Sequence, residues 1–188
     1  VDTPPSASLW QTRNRDAIAA EVYRAQNIVG AKRMLNAGRV RELADTYDSP
    51  VGLLRIRPAQ ALRVDQLSEA PVVALVLRQS GREGEADRLL READAAARST
   101  YRRGKVPFWF DVDVAAVRAV QGRKDDALTM IEKAVGRGWL PSGGTSLRDI
   151  ADEPAFRELR GLPRFEALRA KIAAHYEREK RETARLAL

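Results

Sequence analysis

Residues 74–93, ALVLRQSGREGEADRLLREA, and residues 115–134, AAVRAVQGRKDDALTMIEKA, align without a gap on Gly81 and Gly122. Small residues stand at matched points, Ala74 with Ala115, Ala86 with Ala127 and Ala93 with Ala134, and Leu90 matches Ile131. Small side chains let two antiparallel helices approach closely, and glycine takes the left-handed backbone of a tight turn without steric cost. The larger residues then fill the space between hairpins. One hairpin cannot bury all of its apolar surface alone, so the pattern predicts stacking of successive hairpins.

Working outward, helical spacing dominates and strand signals are poor: alternating β-branched runs are short, and no Asn-Gly or Asp-Gly hairpin turn occurs. The spacing predicts helices over 71–79, 83–102, 110–121 and 125–135. Upstream, Ile18, Val22, Ala25, Ile28, Val29 and Ala31 predict a helix over 16–35, ended by Asn36-Ala37-Gly38, with a second over 40–47. Residues 51–58 read either as a short extended segment or as an irregular helix that Pro58 breaks, with a helical connection over 58–67, and residues 136–144 as a loop anchored by Trp139. Short helices are expected at 147–150 and 154–159, and a final helix over 164–183 that is solvated or frayed beyond Tyr176. The expected organisation is a linker or processed terminus (1–12), a degenerate hairpin and connection (13–67), two clear hairpins (68–140), and a loop with capping helices (141–188).

This spacing resembles the tetratricopeptide repeat: a small residue on the first helix, glycine before the turn, then a small, a bulky and a small residue on the second. Ala31, Met34, Gly38, Leu43 and Tyr47 look like a third copy, with Leu43 where the pattern has a small residue. The turns are 43 and 41 residues apart, against about 34 in the standard repeat. Gly138-Trp139, Leu147-Arg148-Asp149-Ile150, the stretch 152–160 and Leu162 to Leu168 are similar to the ending of many bacterial tetratricopeptide regions. Such regions often follow winged-helix regulators, adenylate cyclases or protein kinases. The resemblance covers residues 68–170. It implies an all-α fold, hairpins stacked into a short right-handed superhelix with a C-terminal helical cap, and a non-catalytic protein-interaction or sensory role within a larger bacterial signalling or regulatory protein.

Composition sets outer limits. Among 188 residues there is no cysteine and one histidine, His175. Thiolate sites, disulfides and multi-imidazole centres in one chain are excluded. Of 33 basic residues, 27 are arginine, and the formal charge is +7. The excess is local, +4 over 51–107 and zero over 108–150, so no single-sign block marks a nucleic-acid-binding tail. The chain opens at Val1 with a Pro/Ser/Thr-rich stretch, which reads as a linker or processed end and favours a periplasmic over a cytoplasmic setting.

By the resemblance, a partner groove lies on the first helices of the hairpins, at Pro71, Val72 and Leu75, and at Val112, Asp113 and Ala116. These positions are mostly apolar and lack the Lys and Asn of a carboxylate clamp. The face either holds a partner helix or packs against the chain's own C-terminal helix. The candidate contact surface is Arg98, Tyr101, Arg102, Arg103, Lys105 and Trp109, where guanidiniums beside aromatics suit an acidic protein or peptide partner. Against it stands the plain reading that these cations favour a helix end and water, with Phe108 and Phe110 in the core. Ser142 to Ser146 reads as a flexible loop whose Thr145 or Ser146 caps a helix. His175 and Glu179 pair on a helix surface, and Asp111 and Asp113 point to different faces as first-turn acids. No metal, cofactor or catalytic residue is expected. A self-associating scaffold and a nucleic-acid-binding accessory domain are the other classes in view.

Overall fold

In the computed structural model, residues 27–48, 62, 66–104, 106–107, 109–141 and 149–186 are described. Every regular element among them is helical. Helix α1 covers 27–36, followed by α2 (Val40–Asp48), α3 (Ala70–Gln79), α4 (Glu83–Arg103), α5 (Phe110–Val120), α6 (Lys124–Gly136) and α7 (Pro163–Leu186). Two 3₁₀ turns, Ile150–Asp152 and Pro154–Leu159, lie between α6 and α7. The expected connection over 50–67, the loop at 142–146 and the N-terminal linker lie wholly or largely outside the described residues.

Three helix pairs turn in the same way. Gly38, Gly81 and Gly122 have φ of 72°, 74° and 80°. The next residue donates its N–H back across the turn: Arg39 to Met34 at 2.9 Å, Arg82 to Leu77 at 2.8 Å, and Arg123 to Arg118 at 2.9 Å. This is the backbone closure that lets a helix stop without orphaning its last carbonyls. The arginine after each glycine then pairs with an acid three residues on: Arg39 with Glu42, Arg82 with Glu85 and Arg123 with Asp126. The five residues therefore act as one unit. Glycine turns the chain, and the Arg–acid pair spans the first turn of the next helix, where negative charge is favoured.

Packing follows the small-residue pattern. Ala74, Ala86, Ala115 and Ala127 have no exposed surface, and α3 packs extensively on α4 and α5 on α6. Leu43, at the position of Ala86 and Ala127, is equally buried, so the first pair accommodates a larger side chain there. Leu77, Leu89, Leu90, Leu128 and Ile131 are buried in the one continuous core that the helix pairs share. Trp139 is buried, and its N–H closes the end of α6 on the Ala134 carbonyl at 2.9 Å.

Beyond α6 the chain runs back over the first helices. The segment 150–159, termed the strap, packs on α5 and reaches α3. Ile150, Ala155, Phe156 and Leu159 are buried, and Phe156 meets Phe165 of α7 edge-on at 6.2 Å. Asp149 and Glu153 cap its two turns by accepting the Ala151 and Ala155 N–H groups. Helix α7 packs through Phe165, Leu168 and Ile172 and continues as a helix to Leu186, exposed from Glu177 to Arg185. Fraying beyond Tyr176 is thus not observed; alternating Glu and Arg or Lys keep a solvated helix formed.

Candidate interaction surface

The end of α4 and the start of α5 meet where the sequence places its cationic aromatic segment. The structure divides that segment by role. Tyr101 turns inward: its ring contacts Phe110 edge-on at 5.3 Å, Lys133 lies over it at 4.7 Å, and its hydroxyl donates to Asp111 at 2.5 Å. Burial first, then the bond to Asp111, raises the Tyr101 pKa. Arg98 pairs with Asp94 one turn back along α4. Arg103 donates to the Ser99 and Thr100 hydroxyls of its own helix, and Arg102 is exposed beside it. Trp109, immediately before α5, is 55% exposed, the most exposed large apolar side chain among the described residues. Lys105 and Phe108 lie outside the described residues; Phe110 is buried as expected.

Beneath this surface sit two buried carboxylates that sequence reading left out of the site. Asp111 is 0% exposed and gathers three donors: the Tyr101 hydroxyl, Lys133 Nζ at 2.9 Å and Arg137 Nη1 at 2.7 Å. Burial pushes its pKa up, but the bonds from Tyr101, Lys133 and Arg137 outweigh it and hold the carboxyl below its ordinary value. Arg137 also donates to the Val106 carbonyl at 2.8 Å, tying α6 to the α4–α5 connection. Asp94 faces Arg98, Arg118 at 3.7 Å and Arg123 at 3.3 Å, which joins α4 to α5 and the next turn. Asp94 was legible: it interrupts the apolar stripe Leu90, Ala93, Ala97 with a charge on the buried side. Lys133 and Arg137 carried no such signal, because their sequence positions read as ordinary surface cations.

Asp111 and Asp113 do point to opposite faces, as their spacing requires, but neither is merely a first-turn acid. Asp113 faces Lys32 of α1 and Glu153 of the strap. Lys32 Nζ lies 2.6 Å from Glu153 Oε2. The face of α3 and α5 that the sequence left between two occupants is covered by the chain itself. Its cover is the strap, to which α1 is tied through Lys32 and Glu153, while the last helix packs on α6. A cleft of about 440 Å³ remains at its edge, lined by Leu35, Leu75, Arg78, Ala119, Lys124 and Arg157 among others. Its cations are engaged: Arg78 with Asp87 and the Val120 carbonyl, Lys124 with Glu158, and Arg157 with the Leu35 carbonyl.

His175 pairs with Glu179 at 3.5 Å on the surface of α7. Among the described residues, no three His, Cys, Asp or Glu side chains gather as metal ligands, and no helix is long and apolar enough to cross a membrane. Comparison with protein families, curated proteins and solved structures finds no match. The tetratricopeptide resemblance therefore stands on residue spacing.

Proposed function

We propose that this chain is a non-catalytic interaction module. In this reading its hairpins form a short tetratricopeptide-like solenoid, closed at the C-terminal end by the strap and α7, within a larger bacterial signalling or regulatory protein. Arg102, Arg103 and Trp109 make the contact surface for an acidic protein partner. One observation carries the proposal: Trp109 stays 55% exposed at a helix start, next in the chain to the cationic end of α4, while the α3 and α5 face is occupied by the chain's own strap. An exposed tryptophan, with two exposed arginines at the end of the preceding helix, supplies a large apolar anchor and charge-assisted donors, the residue types that dominate binding energy at protein interfaces. The repeated turn unit at Gly38, Gly81 and Gly122 supports the solenoid part, since identical turns join three successive helix pairs.

The test is a photo-crosslinking residue at the exposed position 107, between these side chains, expressed in the source cells, with the captured species identified by mass spectrometry. Trp109→Ala and the pair Arg102→Glu with Arg103→Glu should abolish a discrete crosslink without lowering the melting temperature. Unchanged capture by both variants refutes this surface. Capture of nucleic acid, with affinity falling steeply in salt, supports the accessory nucleic-acid reading instead. A crosslink between identical chains supports the self-associating scaffold.

A further inference from the structure

The cleft at the edge of the strap joins two chemistries. Part of its lining is apolar: Leu35 of α1, Leu75 of α3, Ala119 of α5, and Pro154 and Ala155 of the strap. The same lining carries three cations from three separate segments, Arg78 of α3, Lys124 of α6 and Arg157 of the strap, against one carboxylate, Glu158. Fixed contacts hold these walls together. Lys32 Nζ meets Glu153 Oε2 at 2.6 Å, Asn36 donates to the Asp152 carbonyl at 2.6 Å, and Arg157 donates to the Leu35 carbonyl at 3.4 Å, so α1 is tied to the strap. Arg78 donates to the Val120 carbonyl at 2.5 Å and so ties α3 to the end of α5. A cleft held in this way orders little more when a ligand enters it.

We propose that this cleft is a binding site for a small amphipathic organic anion, a monocarboxylate with an aliphatic or aromatic body. The apolar lining takes the body, and Lys124 and Arg157 take the carboxylate.

Volume and charge select this class. About 440 Å³ lies within the range of small-molecule sites, roughly 300–1,000 Å³. A cation would meet three like charges, and a neutral molecule would forgo charge-assisted hydrogen bonds. An inorganic anion would leave the apolar lining unused. Two of the cations can turn to a ligand at small cost. Lys124 meets Glu158 at 3.5 Å with the two side chains 43% and 72% exposed, and an exposed pair of this kind contributes little. Arg157 is bonded to the Leu35 carbonyl and has no carboxylate partner among the described residues. A ligand carboxylate thus replaces a weak pair at Lys124 and supplies a counter-ion to Arg157. Arg78, held by Asp87 at 2.8 Å and by the Val120 carbonyl, shapes the wall instead. The site is separate from the α4–α5 surface, because Arg102, Arg103 and Trp109 do not line it.

Titration of the isotope-labelled whole chain, followed by amide chemical shifts, tests this with octanoate, butyrate, octanol and octylamine as probes. Octanoate should shift amides of residues 75–79, 119–122 and 155–158 saturably, with a Kd of about 1 mM or below. Affinity should rise about two- to fourfold per added methylene from butyrate to octanoate. Octanol should bind at least about fivefold more weakly, and octylamine should leave these amides unmoved. Lys124→Gln and Arg157→Gln should each weaken octanoate binding by about three- to tenfold. Glu158→Gln removes the one lining acid, is 72% exposed and so spares the fold, and should tighten binding about two- to fivefold. Arg102→Glu with Arg103→Glu should leave it unchanged, which keeps this test apart from that of the contact surface. The proposal is overturned by the absence of saturable shifts up to about 10 mM octanoate, or by shifts that map outside the cleft. Octanol or octylamine binding as tightly as octanoate overturns it too, as does Glu158→Gln failing to tighten binding.

Discussion

Replacing Asp111 by asparagine tests how the α4, α5 and α6 helices are held at the proposed contact end. The carboxylate is fully buried and accepts from Tyr101 at 2.5 Å, Lys133 at 2.9 Å and Arg137 at 2.7 Å. Asparagine keeps one acceptor oxygen for one or two of these donors. Its amide N–H₂ then faces a cation, donor against donor. Breaking a buried ion pair costs about 3–5 kcal/mol when the partner charge stays stranded. Here Lys133 and Arg137 are 46% and 40% exposed, so both can turn to water. That relief brings the expected loss to about 2–3 kcal/mol, or roughly 4–12 °C in melting temperature for a chain of this length. Urea unfolding followed by circular dichroism measures it. A cycle with Tyr101→Phe should show about 1 kcal/mol of coupling, since Asp111→Asn removes the charged acceptor and Tyr101→Phe removes the donor of the same bond. A loss below about 0.5 kcal/mol for Asp111→Asn would show that the cluster behaves as ordinary surface pairs and that the reasoning from burial is wrong.

Acid titration gives a related expectation. Since Asp111 sits below its ordinary value when folded, its contribution is present above about pH 4 and is lost as pH falls through the folded value, so Asp111→Asn should show a shallower acid-unfolding transition. Gly122→Ala should cost about 1–2 kcal/mol by thermal denaturation. A Cβ there meets nothing within 4 Å, so the whole penalty is the positive φ of 80°. Phe156→Ala should cost about 3–5 kcal/mol and loosen α7, detected as lost amide protection at Phe165 to Ile172, because the buried ring is the edge partner of Phe165. Trp109→Ala should change stability by less than about 0.5 kcal/mol while weakening partner affinity at least tenfold.

What the sequence determined by itself is the local order. Glycine at 38, 81 and 122 marks turns because only glycine takes positive φ without strain, and the small-residue spacing set the pairing of α3 with α4 and α5 with α6. The boundaries of α2 to α6 came within a residue of the observed ones, because 3.6-residue periodicity and turn chemistry are properties of adjacent residues, whereas the short turn expected at 147–150 lies at Ile150–Asp152 and the last helix runs three residues past its expected end. The Gly-Arg-x-x-acid unit is equally local, a fixed spacing of glycine, arginine and acid within five residues. Tertiary structure decided everything that depends on distant partners. Lys32 and Glu153 are 121 residues apart in the chain. Nothing local distinguishes either from a solvated surface charge. Nor does local pattern tell which face of α5 each of Asp111 and Asp113 meets, or that the short turns around Phe156, rather than the long last helix, cover α3 and α5. Burial of a charge is set by what folds over it, and the covering segments come from the two ends of the described chain.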